Sequence, residues 1–176
     1  MGAMLAYIET LPQDLKRYPL IVEQRCLAMA KTGDTLGAAS RLERLIEDEG
    51  STPERLGLLG GRYKELRRAS STEMDSSRYL ELEIESYRKG MLLDLNEYYC
   101  ASNLPRLYRR RNRPGDGVLA AEAQHVAATA CRRGVELGIA DEWARSTMLT
   151  LAFDAGDAVE ARKLAEELSA RTGRPV

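Results

Sequence analysis

The chain has 176 residues, 30% of them charged and 6% aromatic, with 26 basic against 27 acidic side chains and a formal net charge of −1. That length suits one compact domain or a short repeat array, and the balanced charge gives no general attraction to nucleic acid or to an anionic membrane. No segment approaches the ~20 apolar residues that span a bilayer. Met1-Gly2-Ala3-Met4 also lacks the basic opening and long apolar stretch of a secretory signal, so a soluble cytoplasmic protein is expected.

Apolar residues recur at helical spacing almost throughout, with no run of strand-type alternation. A short leading helix is expected around Ala3 to Thr10, within a leading segment 1–18. Pro19 opens the next helix, which stops at Gly33-Asp34. Another runs to about Gly50 with Leu36, Ala39, Leu42, Leu45 and Ile46 on one stripe. Ser51-Thr52-Pro53-Glu54 combines a hydroxyl cap, a first-turn proline and an early acid, which is a helix start. Pro19 and Pro53 are 34 residues apart, the tetratricopeptide period.

The helix from Pro53 to about Ala69 precedes a polar loop, Ser70-Ser71-Thr72-Glu73, and a long helix from about Asp75 to Leu93. A fifth helix covers about Glu97 to Arg111, and the turn Arg113-Pro114-Gly115-Asp116-Gly117 separates it from a sixth that ends near Leu137-Gly138. Asp141 caps a seventh holding Trp143, Leu149 and Phe153, and Gly156-Asp157 leads into an eighth with Val159, Leu164 and Leu168 inward. Both Gly-Asp turns are followed by a small residue, Ala38 and Ala161, where two helices must come close. Glycine accepts the positive φ of a helix end and aspartate caps the next helix.

The expected fold is therefore all-α: a tetratricopeptide-like right-handed superhelix of about four hairpins plus the short N-terminal helix. The repeat domain spans 19–172, with hairpins at about 19–49, 53–93, 97–137 and 141–172 and a C-terminal tail at 173–176. One hairpin cannot bury its apolar stripe alone, so neighbours stack and leave a concave face.

Leu59, Gly60 and Tyr63 occupy the usual spacing of the first helix of a tetratricopeptide repeat, and the stretch Glu83 to Gly90 is similar to the second. Together with Tyr98-Tyr99-Cys100-Ala101-Ser102-Asn103-Leu104, they resemble the central regulatory repeat region of the apoptosis signal-regulating MAP kinase kinase kinases, described as a TRAF-binding domain, and similar bacterial modules. The resemblance covers roughly 19–168 and is strongest between 53 and 108. It implies a helical scaffold that binds proteins and positions a signalling effector. The Gly-rich loop, H-R-D and D-F-G motifs of a kinase are absent. Glu83 stands where that pattern has alanine, Leu95 where a terminating proline is common, and Pro105 replaces a small residue and should kink the fifth helix.

No residue pattern supports catalysis. His125 is the sole histidine and has no identifiable partner; Glu81, Glu83 and Glu85 alternate along a helix and point to different sides. Gly57, Gly60 and Gly61 lie inside a helix, where they serve close packing and not a phosphate loop. Cys26, Cys100 and Cys131 are scattered, which argues for small buried side chains in a reducing compartment and against a metal site. No enzyme, cofactor or metal is expected.

The strongest charge anomaly is Arg106, Arg109, Arg110, Arg111 and Arg113, which can receive an acidic peptide, a carboxylate terminus or phosphate. A solvated helix end is the competing reading. Tyr98, Tyr99 and Tyr108 interleave with it, yet the charge balance elsewhere argues against RNA. First helices of each pair line the concave face, which nominates Arg62, Asn103, Arg106, Arg110 and Arg145 as a groove for a protein or peptide partner. Trp143 is expected to be a packing anchor. The leading expectation is a non-catalytic interaction scaffold in signalling or stress response; the alternative is a regulatory sensor that binds a small anion or nucleotide in the groove.

Overall fold

The computed structural model describes residues 2–172; the expected tail at 173–176 lies outside the described residues. Ten helices and no strand occur among them: α1 (Gly2–Thr10), α2 (Gln13–Lys16), α3 (Pro19–Lys31), α4 (Thr35–Glu49), α5 (Pro53–Ala69), α6 (Glu73–Leu93), α7 (Tyr98–Arg111), α8 (Asp116–Glu136), α9 (Glu142–Ala155) and α10 (Ala158–Thr172). No helix among the described residues is long and apolar enough to cross a membrane. The chain divides into two compact units, 1–93 and 94–176.

In the first unit α3 pairs with α4 and α5 with α6, and α1 and α2 both pack on α3. Gly33 takes φ 100°, and the Asp34 carboxylate accepts the Gly37 N–H at 3.0 Å, which is the turn that the Gly-Asp pair predicts. Thr52 accepts the Arg55 N–H at 3.1 Å ahead of Pro53. The core joins Cys26 of α3, Ala38, Ala39 and Leu42 of α4, and Leu59 and Tyr63 of α5. Leu36 does not share that stripe: it is exposed, nine residues and so half a turn out of phase with the buried Leu45.

Among the described residues, two buried ion pairs tie helices of the first unit together. Arg55 donates to Glu23 at 2.9 Å and to the carbonyls of Glu49 and Gly50 at 3.1 and 2.8 Å, so one guanidinium joins α3 to the free C-terminal carbonyls of α4. Arg67 donates to Glu83 at 2.7 Å between α5 and α6. Burial pushes the Glu83 carboxyl up, against the pull of Arg67.

In the second unit α7 pairs with α8 and α9 with α10. Asp141 and Asp157 repeat the capping device, accepting the N–H groups of Ala144 at 2.7 Å and Glu160 at 3.0 Å. Ala161, Leu164 and Leu168 of α10 meet Leu149 and Ala152 of α9 in one cluster. Val159 does not join them; it is 83% exposed, half a helical turn from the buried stripe. Phe153 is exposed as well. Pro105 lies fully buried within α7, which is continuous through it.

Candidate functional site

Glu97 starts α7 by accepting the N–H groups of Tyr99 and Cys100 at 2.8 and 3.1 Å. From there the helix sorts its residues. Cys100, Ala101, Leu104, Pro105, Leu107 and Tyr108 are buried, while Tyr99, Asn103, Arg106 and Arg110 recur at the i, i+4, i+7, i+11 spacing of an outward stripe. Tyr98 stands at the base and donates to Asp141 at 3.0 Å, which ties the starts of α7 and α9 together. Burial, and then the Asp141 carboxylate, push the Tyr98 hydroxyl far up, so it remains a donor.

Arg106 reaches across to α9 and meets Asp154 with both a 2.8 Å and a 3.0 Å bond, the two-pronged geometry of a guanidinium on a carboxylate. That bond raises the Arg106 pKa above its already high value. It also orients α9. Trp143 precedes Asp154 by eleven residues, three turns of 3.6, and so projects from the same side of the helix. The indole is 77% exposed. Trp143 is therefore not the packing anchor that the sequence suggests; the buried residues of α9 are Ala144, Leu149, Leu151 and Ala152.

Of the five nominated residues, the structure brings three together. Asn103, Arg106 and Arg110 share the α7 stripe, flanked by Tyr99, which is 47% exposed. Asn103 donates its amide to the Tyr99 carbonyl at 2.9 Å; its own turn uses that donor, and the carbonyl that Pro105 leaves without an amide partner is that of Ala101. Arg110 has no ion-pair partner among the described residues. Arg145 precedes Asp154 by nine residues, half a turn out of phase, and points away from the stripe. Arg62 belongs to the first unit, where it donates to Glu65 at 3.0 Å.

The rest of the arginine run is dispersed. Arg109 donates to Gln124 at 2.9 Å, and Arg111 turns back onto Asp116 at 3.0 Å with its guanidinium over the Tyr108 ring. Asp116, so held, falls from its ordinary 3.8 to about 2. Cations five residues apart on a helix end thus serve three different partners. Asp154, the residue that organises the site, carried no signal in the sequence beyond its spacing from Trp143.

The first unit has two adjoining clefts of about 330 Å³ each, and Arg41 and Arg44 of α4 line both. Lys16 and Arg17 border one of them, along with Asp48 and Glu49. Lys16 is paired with Glu9 at 3.3 Å, whereas Arg17, Arg41 and Arg44 are exposed without an ion-pair partner among the described residues. Sequence reasoning missed these cations because Arg17 ends α2 while Arg41 and Arg44 stand on α4, so they form no run.

Residues 1–108 match the sequence profile of the family described as Tetratricopeptide Repeats-Sensor. The chain belongs to that family. No curated protein matches it. The match covers all of the first unit and α7 as far as Tyr108, so Asn103 and Arg106 lie inside it and Trp143 and Asp154 beyond. Tetratricopeptide repeats have protein-interaction or sensor roles and are in general non-catalytic, and this Tetratricopeptide Repeats-Sensor chain carries the helical hairpins of such repeats.

Proposed function

We propose that the chain is a non-catalytic protein-interaction module of a cytoplasmic signalling or stress-response system, and that the α7–α9 face of its second unit takes an acidic, partly apolar peptide segment. The observation that carries this is the exposed Trp143 on the side of α9 that meets Arg106. An exposed tryptophan loses contact with water only when a partner covers it, and Trp, Tyr and Arg dominate interface energetics. Tyr99 and Trp143 supply the apolar contact, Asn103 and Arg110 the polar one. Arg106 is already paired with Asp154, which leaves Arg110 as the cation for a carboxylate. The likeness to the regulatory repeats of the apoptosis signal-regulating kinases supports the signalling setting.

The test is binding of the whole chain to a library of acidic and charge-inverted peptides. Trp143→Ala should weaken the selected peptide by roughly thirtyfold, about 2 kcal/mol, with the helical circular dichroism unchanged. Arg110→Glu should shift selection toward the charge-inverted set. Unchanged affinity in both variants rejects this face.

A second reading rests on the two first-unit clefts. Their volume lies at the lower bound for small-molecule sites, about 300–1,000 Å³, and Arg17, Arg41 and Arg44 suit a small anion or nucleotide. Thermal shift with inorganic phosphate and with nucleoside triphosphate, on wild type and Arg41→Glu/Arg44→Glu, separates the readings. A ligand at 100 times its Kd adds about 2.7 kcal/mol. No shift in the wild type rejects the sensor and leaves the peptide face standing.

A further inference from the structure

Away from Trp143, α9 encloses a smaller space with α8 and α10. Its apolar lining is Met148, Leu151, Ala152 and Leu164 with Ala128 and Ala155. Gln124 is fixed in the wall: its amide nitrogen donates to the Leu151 carbonyl at 3.2 Å and its oxygen accepts from Arg109 at 2.9 Å. The space measures about 160 Å³. An apolar cavity of ~150 Å³ holds one benzene, whereas cofactor and metabolite sites run to about 300–1,000 Å³. Size therefore excludes a nucleotide and admits a single side chain.

The rim divides by charge. Arg132 is contributed by α8, whereas Asp157 and Glu160 come from the start of α10. Arg132 uses its Nε on the Ala128 carbonyl at 3.3 Å, which leaves its terminal nitrogens open among the described residues. One Asp157 oxygen caps the Glu160 N–H, and Glu160 lies 3.8 Å from Lys163, too long for a firm bond.

We propose that this pocket is an anchor site for one leucine-, methionine- or phenylalanine-sized side chain of a peptide partner. An acidic neighbour in that peptide lies toward Arg132 and a basic neighbour toward Asp157 and Glu160. A buried apolar anchor inside a charged rim is how peptide interfaces concentrate affinity. The pocket shares no lining residue with the α7–α9 face, so the proposal stands whether or not that face binds.

The experiment follows the Met148 methyl by NMR in the whole chain labelled at methionine methyls, the signal being assigned by its loss in Met148→Leu. N-acetyl-leucinamide should move it saturably and N-acetyl-alaninamide should not. Ala155→Trp, at the exposed lip, should abolish the shift; if that variant fails to fold, Ala128→Met fills the same space. The acetylated, amidated tripeptides Glu-Leu-Lys and Lys-Leu-Glu should differ in affinity by roughly two- to fivefold, and Arg132→Glu should erase or reverse the difference. A methyl that does not respond, or that responds equally in the filled variant, overturns the anchor site. Equal affinity of the two tripeptides overturns the charge assignment.

Discussion

Glu83 sits where the resembling repeats carry alanine, and its side chain is only 1% exposed. One oxygen is bonded to Arg67, and the other has no hydrogen-bond partner among the described residues. Restoring alanine therefore strands a buried guanidinium. Glu83→Ala should cost about 3–5 kcal/mol, and the double variant Arg67→Met/Glu83→Ala should regain most of it, because an apolar pair of similar volume needs no desolvation. Urea unfolding of the three proteins checks this; a neutral single variant would show that the pair is dispensable. Asp116 makes a pH prediction. Its folded pKa is depressed from 3.8 to about 2 by Arg111 and the Arg113 amide, so its contribution is complete above the ordinary value and is lost as pH falls toward about 2. Asp116→Asn should flatten stability against pH between about 4 and 2, and identical acid limbs would refute the assignment.

Among the helices, α5 and α6 show why a glycine string belongs in a helix. A Cβ on Gly60 would lie 2.9 Å from the Tyr87 ring, which is fully buried and has no room to retreat. Overpacking of this kind costs about 1–3 kcal/mol, against about 1 kcal/mol gained from helix propensity. Gly60→Ala should be neutral to destabilising by up to about 2 kcal/mol, while Gly117→Ala, with open space around it, should be neutral or stabilising. Thermal unfolding of both variants decides it: equal Tm changes would mean that the close approach is absent. The glycine-aspartate turns and Thr52-Pro53 were readable because capping is local chemistry. Glu97 was read as the first residue of its helix and is its cap instead. Leu36 and Val159 were misplaced inward because each was grouped with an apolar stripe from which it is rotated by about half a turn, Leu36 relative to Leu45 and Val159 relative to Ala161.

Across the molecule, each unit holds at least one buried thiol, Cys26 in the first and Cys100 and Cys131 in the second, and none of the three is joined in a disulfide. Burial pushes the Cys26 thiol up to about 11 and Cys131 up to about 12. At pH 8 the native protein should react with iodoacetamide far more slowly than the unfolded chain. Peptide mapping across a denaturant series should then report the opening of each unit separately. Rapid labelling of any of the three thiols in native buffer would contradict their burial. The all-helical repeat architecture, most helix limits and the lack of charge bias were properties of the sequence itself, because spacing, caps and composition act over a few residues. The proposed contact surface was not. Trp143 became a candidate contact residue because its indole is exposed and Asp154, on the same side of α9, holds Arg106, and the arginine run lost its unity when Gln124 and Asp116 claimed two of its members. Partners separated by 48 positions in the chain meet only after helices pack, and that long-range pairing is what the tertiary structure decided.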